Sequence, residues 1–191
     1  MINYQPLSLP IADIFLAVAK FECPTTRRVS KMIPVENLGE EFTALLRAES
    51  IRIFNVESFY LPAYDRMAPH IDGRPDQTLS KINFSYGSPG STVTWSRLTD
   101  PTKERLIVSN TGLTYRILDA DYCVPVERIP TVTSPVLINV SNPHSVENQY
   151  PEDTWILSCS LMDPVIRSHM SFETARERLS KYWSPPVISM I

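Results

Sequence analysis

Residues 51–162 consist of short runs of β-branched and aromatic residues separated by turn signals, and this pattern limits the folds open to the chain. The chain holds 17 prolines and only 5 glycines, which favours short strands with stiff loops over a bundle of long helices. About eight strands of this kind predict a mainly β, single-domain protein, a double-sheet jelly roll or related barrel whose mouth can hold a small ligand. The β-type runs and shorter strand candidates lie around residues 51–53, 59–61, 69–73, 79–86, 91–98, 106–109, 113–118, 121–126, 136–140, 144–148 and 154–162.

Helical patterns flank this β region on both sides. Residues 11–20 carry apolar side chains at i, i+3, i+4 and i+7, and residues 36–48 carry a second apolar stripe with acids near its start. A last helix is predicted over residues 172–182, with Ser171 as its N-cap. We expect an N-terminal helical segment packing on the sheet at residues 1–50, a double-stranded β-helix core at 51–165, and a C-terminal helix with a tail at 166–191.

Composition narrows the class of protein. The 191 residues are 43% hydrophobic and 20% charged, as in an ordinary soluble domain, and the net charge of -3 gives no electrostatic basis for general nucleic-acid binding. No apolar run approaches the roughly 18 residues needed to span a membrane, and the first residues lack the pattern of a signal peptide. The three scattered cysteines fit free thiols in a reducing compartment. We expect a cytoplasmic protein with small-molecule partners, and its oligomeric state is left open.

Two histidine-containing motifs supply candidate metal ligands. PHIDG at residues 69–73 lies in a β-type run, where His70 and Asp72 point to the same face because side chains alternate along a strand. His-x-Asp alone is a weak signal that is common in surface turns. NPHSV at residues 142–146 supplies His144 as a third ligand from another strand. Two histidines and one carboxylate form the facial triad that holds Fe(II) and leaves positions open for substrate and O2.

The two motifs and the strands between them resemble the sequence pattern of the Fe(II)/2-oxoglutarate-dependent dioxygenase superfamily, most closely that of the small oxygenase-like proteins of bacteriophage genomes. The resemblance covers roughly residues 50–162. It implies a double-stranded β-helix fold, Fe(II) held by His70, Asp72 and His144, and 2-oxoglutarate as cosubstrate. The matching motifs are PHIDG at 69–73, KINF at 81–84, TW at 94–95, PHSVEN at 143–148 and WILS at 155–158.

One position departs from the superfamily pattern. Members that use 2-oxoglutarate carry a basic residue, usually Arg, about ten positions after the distal His, and this chain has Thr154 there. A threonine offers only a hydroxyl in place of a bidentate, charge-assisted pair. Lys81 is a candidate substitute, against the alternative of a solvated lysine at a strand end. The resemblance also makes Asn83 and Ser158 candidate cofactor contacts. Weaker candidates for the missing cation are Arg97, Arg105 and Arg116.

Other polar and aromatic residues are assigned outside the site. Trp95 and Tyr86 are large aromatics on predicted strands, so we expect them in the core, with a pocket-lining role as the alternative. His169 follows the last strand and is expected at the surface near the final helix. Asp65 and Asp163 are expected in turns.

Three functions remain open from the sequence. The first is a non-haem Fe(II)/2-oxoglutarate-dependent oxygenase that hydroxylates a small molecule, nucleobase or protein side chain, expected in the host cytoplasm if phage-encoded. The second is a non-catalytic jelly roll kept as a binding or structural protein, for example in a virion, because jelly rolls are frequent in viral structural proteins. The third is a cupin-like metalloenzyme that uses the same three ligands without 2-oxoglutarate.

Overall fold

Two antiparallel sheets make up most of the chain in the computed structural model, which describes residues 2–11, 29–87, 91–130 and 135–184. The strands in chain order are β1 (Tyr4–Pro6), β2 (Val29–Ile33), β3 (Arg52–Leu61), β4 (Arg66–Asp72), β5 (Ser80–Gly87), β6 (Thr92–Leu98), β7 (Glu104–Val108), β8 (Thr114–Leu118), β9 (Cys123–Pro130), β10 (Val136–Asn139), β11 (His144–Glu147), β12 (Thr154–Asp163) and β13 (Ser168–His169). The α-helices are α1 (Glu40–Ala48) and α2 (Phe172–Arg178), and the 3-10 turns are Val35–Asn37, Pro101–Lys103, Ala120–Tyr122 and Ser180–Tyr182.

The strand order identifies the fold. The larger sheet runs β1-β10-β5-β12-β3-β2, with β13 added to β12, and the smaller sheet runs β7-β8-β4-β11-β6-β9. From β3 to β6 the chain moves from one sheet to the other at every strand, and from β9 to β12 it does so again. The chain therefore has the predicted double-stranded β-helix, or jelly-roll, fold.

Two apolar clusters hold the sheets in place. Phe42 and Leu46 of α1 and Phe172 of α2 are buried against the outer face of the larger sheet, where the Phe42 ring meets Phe84 edge to face at 5.6 Å. A second cluster fills one end of the space between the sheets, with Trp95 at its centre. The buried polar side chains His70, Asp72 and Lys81 do not belong to either apolar cluster.

The helices begin and end at different residues from those predicted. The predicted helix 36–48 starts at Glu40, because its first residues form a 3-10 turn and Gly39 is the N-cap. The predicted helix 172–182 ends at Arg178 and continues as a 3-10 turn, while Ser171 caps it as predicted, its side chain accepting from the Thr174 N–H.

Two predictions fall on residues that the structure does not describe. The helix over 11–20 lies outside the described residues except for its first position, and the turn at 87–90 lies outside them except for Gly87.

Strand β9 begins after a 3-10 turn and runs four residues further than the predicted strand 121–126. None of the described helices is long and apolar enough to cross a membrane.

Candidate metal centre

The two histidine-containing motifs lie on neighbouring strands of the smaller sheet. Strands β4 and β11 pair antiparallel with His70 directly opposite His144, and their ring centroids lie 4.3 Å apart. Asp72 follows on the same face of β4, so one ligand atom from each residue lies within 4.8 Å of the other two. All three side chains are buried. The pairing of two strands thus brings together the three predicted metal ligands.

Backbone carbonyls fix the protonation of both imidazoles. Nδ1 of His70 lies 2.8 Å from the Ala68 carbonyl oxygen, and Nδ1 of His144 lies 2.9 Å from the Asn142 carbonyl oxygen. A carbonyl oxygen only accepts hydrogen bonds, so each Nδ1 carries a proton, and in the neutral form of each ring the lone pair lies on Nε2. Burial, reinforced by neighbouring His70, lowers the pKa of His144 to about 4, so this imidazole is neutral near pH 7.

The Asp72 carboxylate offers one free oxygen. Its Oδ1 is buried and has no hydrogen-bond partner among the described residues, while it lies 3.5 Å from Nε2 of His70. A carboxylate oxygen facing an imidazole lone pair at this distance is repulsive unless a cation lies between them. Two lone pairs and one unpaired carboxylate oxygen therefore converge, and this donor set fits a divalent transition-metal ion.

Lys81 occupies the second oxygen of Asp72. Its Nζ lies 2.6 Å from Oδ2, and the two side chains are only 4% and 6% exposed. Burial alone lowers the pKa of Lys81, but the carboxylates of Asp72 and Glu57 outweigh burial and raise this pKa above its usual value. Burial alone raises the pKa of Asp72, but Lys81, His144 and His70 outweigh burial and hold this pKa below its usual value. The result is a buried ion pair inside the candidate site rather than a solvated lysine.

Glu57 and Tyr115 belong to the same polar interior, and the sequence analysis missed both. Glu57 is 1% exposed, and its carboxylate accepts hydrogen bonds from the Tyr115 hydroxyl at 2.7 Å and the Thr111 hydroxyl at 2.8 Å. The Tyr115 ring packs edge to face on His70 at 5.8 Å. Burial, reinforced by Asp72 and Glu57, raises the pKa of Tyr115. The signal that could have found Glu57 is that it is the one acidic residue in β3.

The other candidate cofactor contacts, Asn83, Thr154 and Ser158, lie on β5 and β12 of the larger sheet. The Ser158 hydroxyl donates to Asn83 Oδ1 at 2.7 Å across neighbouring strands, so these two side chains bind each other. Thr154 is fully buried at the start of β12, opposite Leu61. Four residues of strand separate Thr154 from Ser158, or about 13 Å.

The structure also places the aromatic and arginine residues that the sequence analysis considered. Trp95 is a core residue whose indole N–H donates to the Asn139 carbonyl at 2.8 Å, and Tyr86 is 37% exposed rather than buried in the core. Arg116 pairs with Glu104 at 3.4 Å. Arg97 and Arg105 are exposed.

His169 does not lie at the surface as predicted. It is half-buried on β13, its ring meets Phe54 edge to face at 4.7 Å, and burial lowers its pKa. The strand pairing of β13 with β12 turns this residue towards the site. Asp65 and Asp163 do lie at turns. Asp163 is the last residue of β12, and its Oδ1 accepts from the N–H groups of Val165 and Ile166 in the turn that follows.

Two cavities flank the triad. The first, here called the polar cavity, has a volume of about 340 Å³ and reaches Asp72 and Lys81. The second, here called the apolar cavity, has a volume of about 500 Å³ and reaches His70, with Phe59 and Met67 among its walls. Tyr115 lines both. A ligand in either cavity therefore lies beside one of the three candidate metal ligands.

Comparisons with known proteins do not assign a function to the chain. No protein-family model and no curated protein matches the chain. Among solved structures it is similar to the non-haem α-ketoglutarate-dependent epimerase SnoN from nogalamycin biosynthesis, at 17% identity over 64% of this chain and 52% of that chain, with a TM-score of 0.41. It is similar to salicylate 1,2-dioxygenase from Pseudaminobacter salicylatoxidans, at 10% identity over 80% and 28% of the chains, with a TM-score of 0.33.

A third similar structure is procruciferin, an 11S globulin from Brassica napus, at 8% identity over 72% of this chain and 28% of that chain, with a TM-score of 0.35. The chain thus spans about half or less of the length of these structures. All three TM-scores are low and the similar structures include both enzymes and a globulin, so function has to be argued from the site.

Proposed function

We propose that this chain is a non-haem Fe(II)-dependent oxygenase with His70, Asp72 and His144 as its metal ligands. The observation that carries the proposal is the convergence of two Nε2 lone pairs and the unpaired Oδ1 of Asp72 in a buried site. Bound Fe(II) would supply the capacity to activate O2 for oxidation of a substrate.

The side chains of this chain would prepare the site before any ligand binds. The carbonyls of Ala68 and Asn142 hold both imidazoles in the protonation state and orientation that a metal ligand needs. Lys81 holds Oδ2 of Asp72, so Oδ1 alone is presented to the ion. The ring of Tyr115 packs edge to face on His70 and lines both cavities beside the centre.

Dependence on 2-oxoglutarate is the finer part of the proposal, and it rests on Lys81. The cosubstrate's far carboxylate needs a cation, and Lys81 is the one buried lysine or arginine in the part of the chain that the structure describes. Binding of that carboxylate would require Lys81 to exchange its partner, because its ammonium is paired with Asp72.

A second candidate is a cupin-like oxygenase that uses the same ligands without 2-oxoglutarate. The Lys81–Asp72 ion pair and the buried Thr154 at the usual arginine position favour it. The remaining alternative, a non-catalytic jelly roll kept as a binding or structural protein, requires no bound metal.

Anaerobic titration with Fe(II), followed by 2-oxoglutarate, tests these proposals together. Metal binding is measured by calorimetry, and the keto acid by the weak visible charge-transfer band of the chelate. We expect His144→Ala to abolish metal binding and the matched variant His169→Ala to retain it. Metal binding without the band would favour the cupin-like candidate, and no binding by the unmodified chain would reject an iron enzyme.

A further inference from the structure

The polar cavity has the chemistry of a binding site for a small acid. We propose that it is the substrate site of the oxygenase and that its ligand is a small carboxylic acid carrying a second polar group. This inference rests on the proposed function for the word substrate, while the binding site itself stands on its own residues. The cavity of about 340 Å³ lies at the lower end of the size range of ligand pockets, which favours a small molecule.

The charges on the cavity walls favour an anion. Among the described residues that line it, the charged side chains are Asp72, Arg74 and Lys81. Asp72 is already neutralised by Lys81 at 2.6 Å, so the exposed Arg74 guanidinium is left in excess. A metal ion on Asp72 would make the surroundings still more positive. An arginine at the cavity rim is suited to a bidentate pair with a carboxylate.

The inner wall of the cavity calls for a second polar group on the ligand. Oδ1 of Asn55 and Nδ1 of His169 are both buried, and neither has a hydrogen-bond partner within the described part of the chain. Both residues line the cavity, and Asn55 is only 8% exposed. The edge-to-face contact with Phe54 holds the His169 ring in place. Buried polar atoms are normally hydrogen-bonded, so a hydroxyl or amine on the ligand fits between these two side chains.

The neighbouring apolar cavity does not match this ligand. It is lined mainly by apolar and aromatic side chains, including Phe59, Met67 and Ile117, and no described lysine or arginine lines it. The acid therefore belongs in the polar cavity, against the Asp72 side of the metal centre.

Nuclear magnetic resonance of the histidine rings tests the inference, because the chain has only 3 histidines. The His169 signal is assigned from the variant His169→Gln. The metal-free and Zn(II)-loaded proteins are each titrated with a panel of hydroxy and amino acids of three to six carbons, with the corresponding neutral amides as controls. We expect one or more acids to shift the His169 signal saturably, and their amides to have no effect.

Variants then test whether Arg74 binds the carboxylate of the ligand. Arg74→Gln should weaken binding of the active acid by about tenfold or more, the loss expected for a charge-assisted pair. The matched variant Arg47→Gln, on the exposed face of α1, should bind normally. Absence of a saturable shift with every acid, or equal binding by Arg74→Gln, would overturn the inference.

Two further outcomes distinguish a substrate site from a cosubstrate site, and the acid-binding site from the proposed iron enzyme. If 2-oxoglutarate shifts His169 and the hydroxy and amino acids do not, the cavity holds the cosubstrate and the substrate assignment is wrong. If an acid binds the metal-free protein and the protein binds no metal, the acid site stands and the proposed iron enzyme fails.

Discussion

Replacing Lys81 by methionine isolates the buried ion pair at the centre of the site. The substitution keeps a long, unbranched side chain and removes the ammonium 2.6 Å from Asp72 Oδ2. Both side chains are almost fully buried, so little solvent is available to stabilise the carboxylate that is left behind. Breaking a buried pair by removing one partner costs about 3–5 kcal/mol. For a chain of this length that cost corresponds to a fall in Tm of roughly 6–20 °C.

Metal binding should reverse much of this loss. A divalent ion on Oδ1 supplies positive charge next to the Asp72 carboxylate, and Lys81→Met removes the cation that repels the ion. We therefore expect Zn(II) or anaerobic Fe(II) to raise the Tm of Lys81→Met by more than it raises the Tm of the unmodified chain. Calorimetric titration of the two proteins should show the tighter metal binding in the variant.

Two controls make the result specific to the pair. Lys103→Met changes an exposed lysine and should alter stability by no more than about 0.5 kcal/mol. The double variant Asp72→Asn with Lys81→Met replaces both charges and should be more stable than Lys81→Met alone, because no unpaired charge stays buried. A metal-free Lys81→Met protein as stable as the unmodified chain, or equal metal-induced Tm shifts in both, would refute the reasoning.

Three further predictions concern the surroundings of the pair. Tyr115→Phe removes the hydroxyl that donates to Glu57 at 2.7 Å, and should lower the free energy of unfolding in urea by about 1–3 kcal/mol. His144 has a pKa of about 4 in the folded chain against 6.5 in the unfolded chain, so the unfolded state binds more protons between these values. Urea unfolding of the metal-free protein should show stability falling as pH drops from about 6.5 to 4, with a shallower slope in His144→Gln. Gly73 has a φ of 84°, and an added Cβ would lie 2.5 Å from Leu79 Cδ1, so Gly73→Ala should lower Tm; an unchanged Tm would contradict that geometry.

The clustering of His70, Asp72 and His144 could be predicted because it depends largely on short-range rules. His70 and Asp72 share a face by strand alternation, which holds in any sheet. The position of His144 needed one more step, the pairing of β11 with β4, and the resemblance to a known superfamily supplied it. The strands were recognisable for the same reason, since β-branched runs and turn signals are local features.

The partners of Lys81 could not be predicted, because they come from packing between the sheets. Lys81 lies on β5 in the larger sheet and Asp72 on β4 in the smaller one, so their contact depends on how the two sheets face each other. The same holds for Glu57, whose partner Tyr115 lies in the other sheet. His169 was misplaced because a two-residue strand, β13, has too little sequence pattern to be recognised.

The cost of this polar interior favours a functional site over a purely architectural jelly roll. An ion pair buried as deeply as Asp72–Lys81 is often no more stabilising than apolar side chains of the same volume, and replacing such pairs can increase stability. Glu57 adds a further buried charge, and Asp72 Oδ1 is buried without a hydrogen bond from any described residue. A barrel needed only for its shape gains nothing from these groups, whereas a metal centre uses the unpaired oxygen directly. Departures from good packing rules are expected at functional sites, and in this chain the buried ion pair and the unpaired Oδ1 of Asp72 both lie at the cluster of His70, Asp72 and His144.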